Sequence, residues 1–435
     1  MTFLQPAGNG PSALIPHGVA DYFWGEAHQR RQLEALLLAT FRTWGYGDVL
    51  PPLIEYADTL TSRANSELQN VLVRFQDRDG SSVALRADMT IAVARLVGTR
   101  LHDWPMPQRF CYAGSVFRHT ELQTGRQREF AQAGIELIGA PTPAADAEIL
   151  ALTAKALQRA GVADFRLVVG QMGYFDGLLA ALGLTPAQQS HLQHAIDLNS
   201  EASLADFLRT TSLTPAQRRT VETLPHLSGA GMEALLAQAD ELCLNATMGA
   251  AVENLAAICT ALARYGVLAT LYLDLTEIHN LGYYTGITFE VLSPRLGFPV
   301  ATGGRYDHLL GSFGKPQAAV GAAFTLDRIL LALRNPALPS PPLRPPAPDL
   351  LVISQNSAEC LAIVDGWRTQ GYRVVVDADA HSIDELGELA GQFGCKRAVA
   401  WTGHGFALYA ADSRADQPLG YVAAEDARQL GELLA

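Results

Sequence analysis

The stretch NPALPSPPLRPPAP, residues 335–348, puts seven prolines into fourteen positions. A run of this kind favours extended polyproline geometry and acts as a semi-rigid spacer. It therefore divides the chain into a large body, residues 1–334, and a tail, residues 349–435. The body is long enough for a sizeable core, and the tail is the size of a small domain.

Hydrophobic periodicity organises the body. Leu33, Leu37, Phe41 and Trp44 recur at helical spacing up to the glycines of WGYGD. DVLPPLIEY reads as a strand interrupted by prolines, which suits a sheet edge or an interface. VLVRFQDRDGSSVALR reads as two short strands around an Asp-Gly turn. QRFCYAGSVFR and REFAQAGIELIG are two more strands, joined by the polar loop HTELQTGRQ. Residues 143–161 look helical, and FRLVVGQ is a strand. From about 176 to 268 the pattern is helical, with LTPAQ twice as a Thr-Pro helix start. Strands return at ATLYLDL and GITFEVL, and AAVGAAFTLDRILLALR closes the body as strand plus helix. The expected fold is α+β, an antiparallel sheet flanked by helices with a helical insertion. The tail alternates strand and helix, as expected of a small α/β domain with a mainly parallel sheet.

Hydrophobic residues make up 49% of the chain and charged residues 17%, which excludes a disordered polymer. The net charge of -12 opposes a generalised grip on nucleic acid or an anionic membrane. The five cysteines lack CxxC spacing, offering neither a zinc knot nor a disulfide framework. With no charged leader and no run of apolar residues long enough to span a bilayer, a soluble cytoplasmic protein is expected. No phosphate loop, dinucleotide fingerprint or HExxH helix occurs, and His191 with His194 has no third ligand. No cofactor or metal is expected.

Two segments carry chemistry. In GSVFRHTELQTGRQREFAQAGIELIG, residues 114–139, Arg118 ends one strand and Arg126 and Arg128 follow across a loop. Guanidinium groups around a common cleft suit phosphate or carboxylate. Gln132 and Glu136 share parity on the returning strand and point to one face. Spacing alone leaves a solvated hairpin equally open. In TEIHNLGYYTGITFE, residues 276–290, Tyr283 and Tyr284 stand beside a Thr-Gly turn with no Arg or Lys to hold a phosphate.

The first segment resembles motif 2 of class II aminoacyl-tRNA synthetases of the histidyl type. Further segments agree in order: IPHGVADY with that family's opening, and Pro52 with the dimer-interface proline of motif 1. LRADMT falls in place of the histidine-binding loop, GGRYDHLL resembles a body segment, and VGAAFTLDR resembles motif 3 with Arg328. In outline the tail is similar to an anticodon-binding domain. The departures are informative. Where such synthetases carry an Arg-Gly-Leu-Asp-Tyr-Tyr segment, whose arginine contacts the α-phosphate, this chain has His279. Loss of one such donor costs on the order of 10²–10³ in rate. Thr120 replaces a glutamate, and motif 3 reads Thr325-Leu326-Asp327-Arg328. The resemblance implies that the set binding histidine is largely kept as Asp88, in place of a glutamate, Thr90, Gln132, Glu136, Tyr283 and Tyr284, while Arg118, Arg126 and Arg328 mark a vestigial nucleotide site.

This pattern resembles the regulatory subunits of ATP phosphoribosyltransferase, synthetase-like paralogues acting at the first step of histidine biosynthesis. The resemblance implies a non-catalytic subunit, required by a short-form catalytic partner and responsive to histidine as effector. It also implies a homodimer inside a larger hetero-oligomer. The tail carries 6 Lys and Arg against 13 Asp and Glu, which disfavours tRNA as a partner. The alternative is an active histidyl-tRNA synthetase, supported by the nearly complete motif frame.

Overall fold

The computed structural model describes residues 15–61, 66–119, 127–198, 200–277, 284–334, 347–379, 381–395, 397–410 and 418–428. Thr120, Arg126, His279 and Tyr283 lie outside the described residues. The chain forms two compact units, residues 29–338 with 1–21, and residues 339–435 with 22–28.

The first unit is built on a nine-stranded sheet whose middle is antiparallel throughout. Its six central strands are β1 (Gln108–Phe117), β2 (Glu129–Ile138), β3 (Arg166–Gln171), β4 (Ile287–Leu292), β5 (Ala301–Arg305) and β6 (Ala319–Thr325). They lie in the order β1-β2-β6-β5-β4-β3. β1 and β2 pair over ten residues, from Gln108 opposite Ile138 to Phe117 opposite Glu129. At the margins the sheet is mixed rather than antiparallel. Gly47–Asp48 runs parallel to β1, and Leu271–Asp274 runs parallel to β3. A parallel neighbour needs a long crossover, and the helical residues between β3 and Leu271 supply one.

Strand alternation assigns the two faces. Ala133, Ile135 and Leu137 of β2 enter a core with Leu37 and Phe41 of α1 (Trp24–Thr43). The same core takes Leu150 of α3 (Pro143–Arg159) and Leu255 of α4 (Ala246–Tyr265). The other face of β2 carries Gln132, Gly134, Glu136 and Ile138. Ile138 lies with Tyr112, Tyr306, Leu310 and the apolar residues of α2 (Thr90–Arg100) in a second core. Both faces are thus covered over the inner part of β2, where Gln132 and Glu136 are buried.

The predicted Thr-Pro starts are capping boxes. Thr185 and Thr214 accept from the backbone of Gln188 and Gln217, whose side chains reach back to the capping residues. Helix α4 is long and apolar enough to cross a membrane, but Met248, Leu255, Ile258 and Leu262 bury its apolar face in the protein. A separate three-stranded sheet joins Ile54–Tyr56, Ser82–Leu85 and Arg74–Gln76, with the proline-flanked strand at its edge.

In the second unit Leu350–Ile353 pairs in parallel with Val374–Val376 and Arg397–Trp401. Gly405–Ala410 and Gly420–Ala423 then add antiparallel strands, so the sheet is half parallel rather than mainly so. The Thr402–Gly405 turn, with Gly403 at φ +92°, folds the chain straight back and leaves no room for a crossover.

Gly321 lies opposite Glu136 in the sheet, and a Cβ there would fall 1.8 Å from Glu136 Oε2 and 2.7 Å from the Ile135 carbonyl. Gly321→Ala should cost about 1–3 kcal/mol by overpacking. Gly249→Ala, within α4 and facing open space, should instead gain up to about 1 kcal/mol. Chemical denaturation of the two variants measures both, and equal effects would contradict this packing.

Candidate ligand-binding site

The site is set by where β2 meets α2. Glu136 is 1% exposed and accepts hydrogen bonds from Thr90 Oγ1 at 2.7 Å and Tyr112 OH at 3.0 Å on one oxygen. Tyr306 OH bonds its other oxygen. Among the described residues no cation pairs with it. Burial above all, and the nearby Asp88 charge, push the carboxyl up to about 8 against the pull of these hydroxyl bonds. At neutral pH the acid is therefore largely protonated in the ligand-free protein.

Asp88 and Gln132 complete the cluster. Asp88 Oδ1 accepts from the Thr90 amide at 2.7 Å and so fixes the first turn of α2. Gln132 Nε2 donates to Asp88 Oδ2 at 3.3 Å, and its Oε1 accepts from the Met89 amide. Arg86 pins the loop from below, donating to the carbonyls of Pro51 at 2.7 Å and Ser115 at 2.9 Å. Four of the predicted residues, Asp88, Thr90, Gln132 and Glu136, thus form one hydrogen-bonded group. Tyr284 packs its ring over Gly304, where a Cβ would lie 2.7 Å from it.

A second network holds the neighbouring strand. Arg305, 7% exposed, bonds Asp146 of α3 through Nε at 2.8 Å and Asp307 through Nη1 at 3.1 Å. The Thr285 amide donates to the Arg305 carbonyl at 2.7 Å. A Cβ on Gly286 would meet Arg305 Cδ at 2.8 Å. The Thr-Gly turn is needed because an arginine side chain passes against it.

Comparison with known proteins follows the same outline. The profile of the histidyl-tRNA synthetase family matches residues 18–329. The ATP phosphoribosyltransferase regulatory subunit of Desulforamulus reducens is 40% identical over 82% of this chain and 88% of its own. That of Moorella thermoacetica is 39% identical over 91% of this chain and 100% of its own. The chain belongs to the ATP phosphoribosyltransferase regulatory subunits, within the histidyl-tRNA synthetase family. Membership makes it a regulatory rather than a catalytic subunit. A solved structure described as an ATP phosphoribosyltransferase regulatory subunit/histidyl-tRNA synthetase, from Bacillus halodurans, superposes with a TM-score of 0.77. It is 28% identical and covers 86% of this chain and 96% of its own.

Against this family frame, Arg118 and Arg328 are both engaged by the chain itself. Arg118 donates to the Ala87 carbonyl at 2.9 Å, lies 5.3 Å from the centre of the Phe130 ring and is 3.7 Å from Asp88. Arg328 donates to the Pro299 carbonyl at 2.8 Å and stacks 4.9 Å over Phe298. Its neighbour Asp327 pairs with Arg30 and accepts from the Ala131 amide. Each guanidinium already has partners within the chain. Tyr112 and Tyr306 were not singled out by sequence pattern. The available signal was Gly134, directly opposite Tyr112, where a Cβ would meet the phenol at 2.4 Å.

Glu136 makes stability depend on pH. Its carboxyl rises from an ordinary 4.5 to about 8 on folding, so the native state holds the extra proton between those values. The stability contributed by the protonated acid is complete below about 4.5 and lost as pH rises through about 8. The slope reaches at most about 1.4 kcal/mol per pH unit. Glu136→Gln should flatten the fall in stability between those values. Parallel curves for both proteins in denaturant titrations across this range would contradict the buried-acid assignment.

Proposed function

We propose that the chain regulates ATP phosphoribosyltransferase by binding histidine in the Asp88–Gln132–Glu136 cluster and acting on a short-form catalytic subunit. One observation carries this reading. The polar cluster is assembled and buried, while Arg118 and Arg328, which a nucleotide would need, are engaged with the chain's own carbonyls and rings. The ligand's imidazole would lie between Glu136 and the Tyr283 and Tyr284 side. Its ammonium would take Asp88, Thr90 and Gln132. A buried acid that needs a polar partner discriminates strongly against apolar analogues. His279, in place of the phosphate-contacting arginine, supports a sensor over a ligase.

Feedback on this reading is a coupling free energy between the pocket and the partner's catalytic site, typically about 1–3 kcal/mol. Mixing the chain with a short-form catalytic subunit should raise phosphoribosyl-ATP formation, and histidine should suppress it. The chain alone should be silent in histidine-dependent ATP–pyrophosphate exchange. Exchange activity without stimulation of the partner would select the synthetase reading instead. Glu136→Ala should weaken histidine inhibition by about tenfold or more while stimulation persists.

An ionised Glu136 accepts an imidazole N–H more strongly than the protonated acid that burial favours. Histidine binding at neutral pH should therefore release close to one proton, and affinity should rise with pH until about 8. Calorimetry in buffers of differing ionisation heat measures this release. Binding with no proton release would remove Glu136 from the ligand contact.

The assembly proposed is a homodimer within a larger hetero-oligomer. Tyr56 and Phe75 both lie opposite Val83, so the three share one face of the small sheet. Tyr56 is 61% exposed and Ile54 on the same side 49%, an apolar face on the proline-flanked strand. The opposite face is covered, because Glu55 pairs with Arg95 of α2 at 2.7 Å. A second copy meeting this face by two-fold symmetry fits its composition. Tyr56→Glu should shift the protein to monomer in light scattering, and an unchanged mass would place the interface elsewhere.

A further inference from the structure

Asn254, half-buried on helix α4, stands where two hydrogen-bonded arms from the pocket meet. Its Oδ1 accepts from Gln171 Nε2 at 2.9 Å, and its amide also hydrogen-bonds the Asp146 carboxyl. An amide suits both neighbours, because Gln171 offers a donor and Asp146 an acceptor. Leucine would leave both unpaired, and a carboxylate would face Asp146 with like charge. Gln171 is 5% exposed and Asp146 1%, so water cannot readily take the place of Asn254.

Both arms end on the same turn. Arg305 donates to Asp146 through Nε at 2.8 Å, and the Arg305 carbonyl accepts the Thr285 amide at 2.7 Å. Asp307, which Arg305 also holds, donates its backbone amide to Thr285 Oγ1 at 3.0 Å. On the other arm Gln171 lies opposite Ile287 in the sheet. Its neighbour Met172 donates its amide to the Gly286 carbonyl at 2.8 Å. Tyr284 immediately precedes this turn, with its ring seated over Gly304, the residue before Arg305.

We infer that Asn254 is a positioning residue: through Gln171 and Asp146 it fixes the Thr285–Gly286 turn, and so lets helix α4 set the place of Tyr284 in the pocket. This rests on the histidine reading only for what Tyr284 touches. Coupling of this kind passes through hydrogen-bonded side chains and the rigid elements that carry them. It ties the pocket to the helical insertion, which supplies none of the predicted ligand-binding residues.

The test compares the full-length protein with Asn254→Asp, which keeps the shape of the side chain and removes its donor. Histidine affinity by calorimetry should fall about fivefold or more. Hydrogen exchange of the ligand-free protein should quicken across residues 284–289 while strands β1 and β2 keep their protection. Adding Asp146→Asn exchanges amide and carboxyl between the two positions, and should restore both readouts. Unchanged exchange in Asn254→Asp overturns the inference, as does faster exchange throughout the sheet, which a purely structural role would give. Unchanged affinity in that variant, or no recovery in the double variant, overturns it equally. If the unaltered protein fails to bind histidine, the histidine reading falls, and the exchange pattern with its recovery decides the placement of the turn.

Discussion

The arrangement of the large unit depends on one uncharged-partner constraint: a carboxyl group, Glu136, held in the middle of a sheet with both faces covered. Removing a polar group from water is costly unless its hydrogen bonds are remade. Here Thr90, Tyr112 and Tyr306 supply hydroxyls from a helix, the adjacent strand and a loop beyond β5. Space comes from Gly134, which leaves room for the Tyr112 phenol, and Gly321, which leaves room for Glu136 itself. Under the proposed histidine reading, the proton held by burial would exchange for the ligand's hydrogen bond.

Around this centre, positive charge is spent on structure. Arg305 is consumed by Asp146 and Asp307 and fixes the Thr285–Gly286 turn. Arg86 is consumed by backbone carbonyls beneath the LRADMT loop. A buried ion pair such as Arg305–Asp146 adds little net stability, because desolvation offsets attraction. What it adds is geometry, since its partners lie on α3, on the strand pair and beside the pocket. Arg118 and Arg328 follow the same pattern at the edge of the site. This distribution fits a regulatory rather than a catalytic member of the family.

Much of this architecture was legible in the chain. The β1–β2 hairpin announced itself by two apolar strands and a polar loop, and the same parity placed Gln132 beside Glu136. The Thr-Pro starts could be read as caps because threonine, proline and glutamine each satisfy a defined terminal group. Less legible were the two tail strands after Trp401, whose short apolar stretches lack a strong period, and the parallel margins of the main sheet. Tyr112 and Tyr306 escaped because buried tyrosines on strands usually pack as hydrophobic bodies. Only the position of a hydroxyl relative to a distant acid distinguishes one from the other.

By itself, the sequence determined what is local. Periodicity set the helices and strands, and ordered motifs set the family frame. Those properties depend on neighbours within a few residues. The tertiary structure decided which polar groups lose water together. Thr90 and Glu136 are 46 residues apart, and Tyr306 and Glu136 are 170 apart, yet they share one buried cluster. Whether Glu136 is charged, and whether an arginine is free for a phosphate, follows from those distant contacts. Desolvation and hydrogen bonding act through space, and the order of residues along the chain does not contain them.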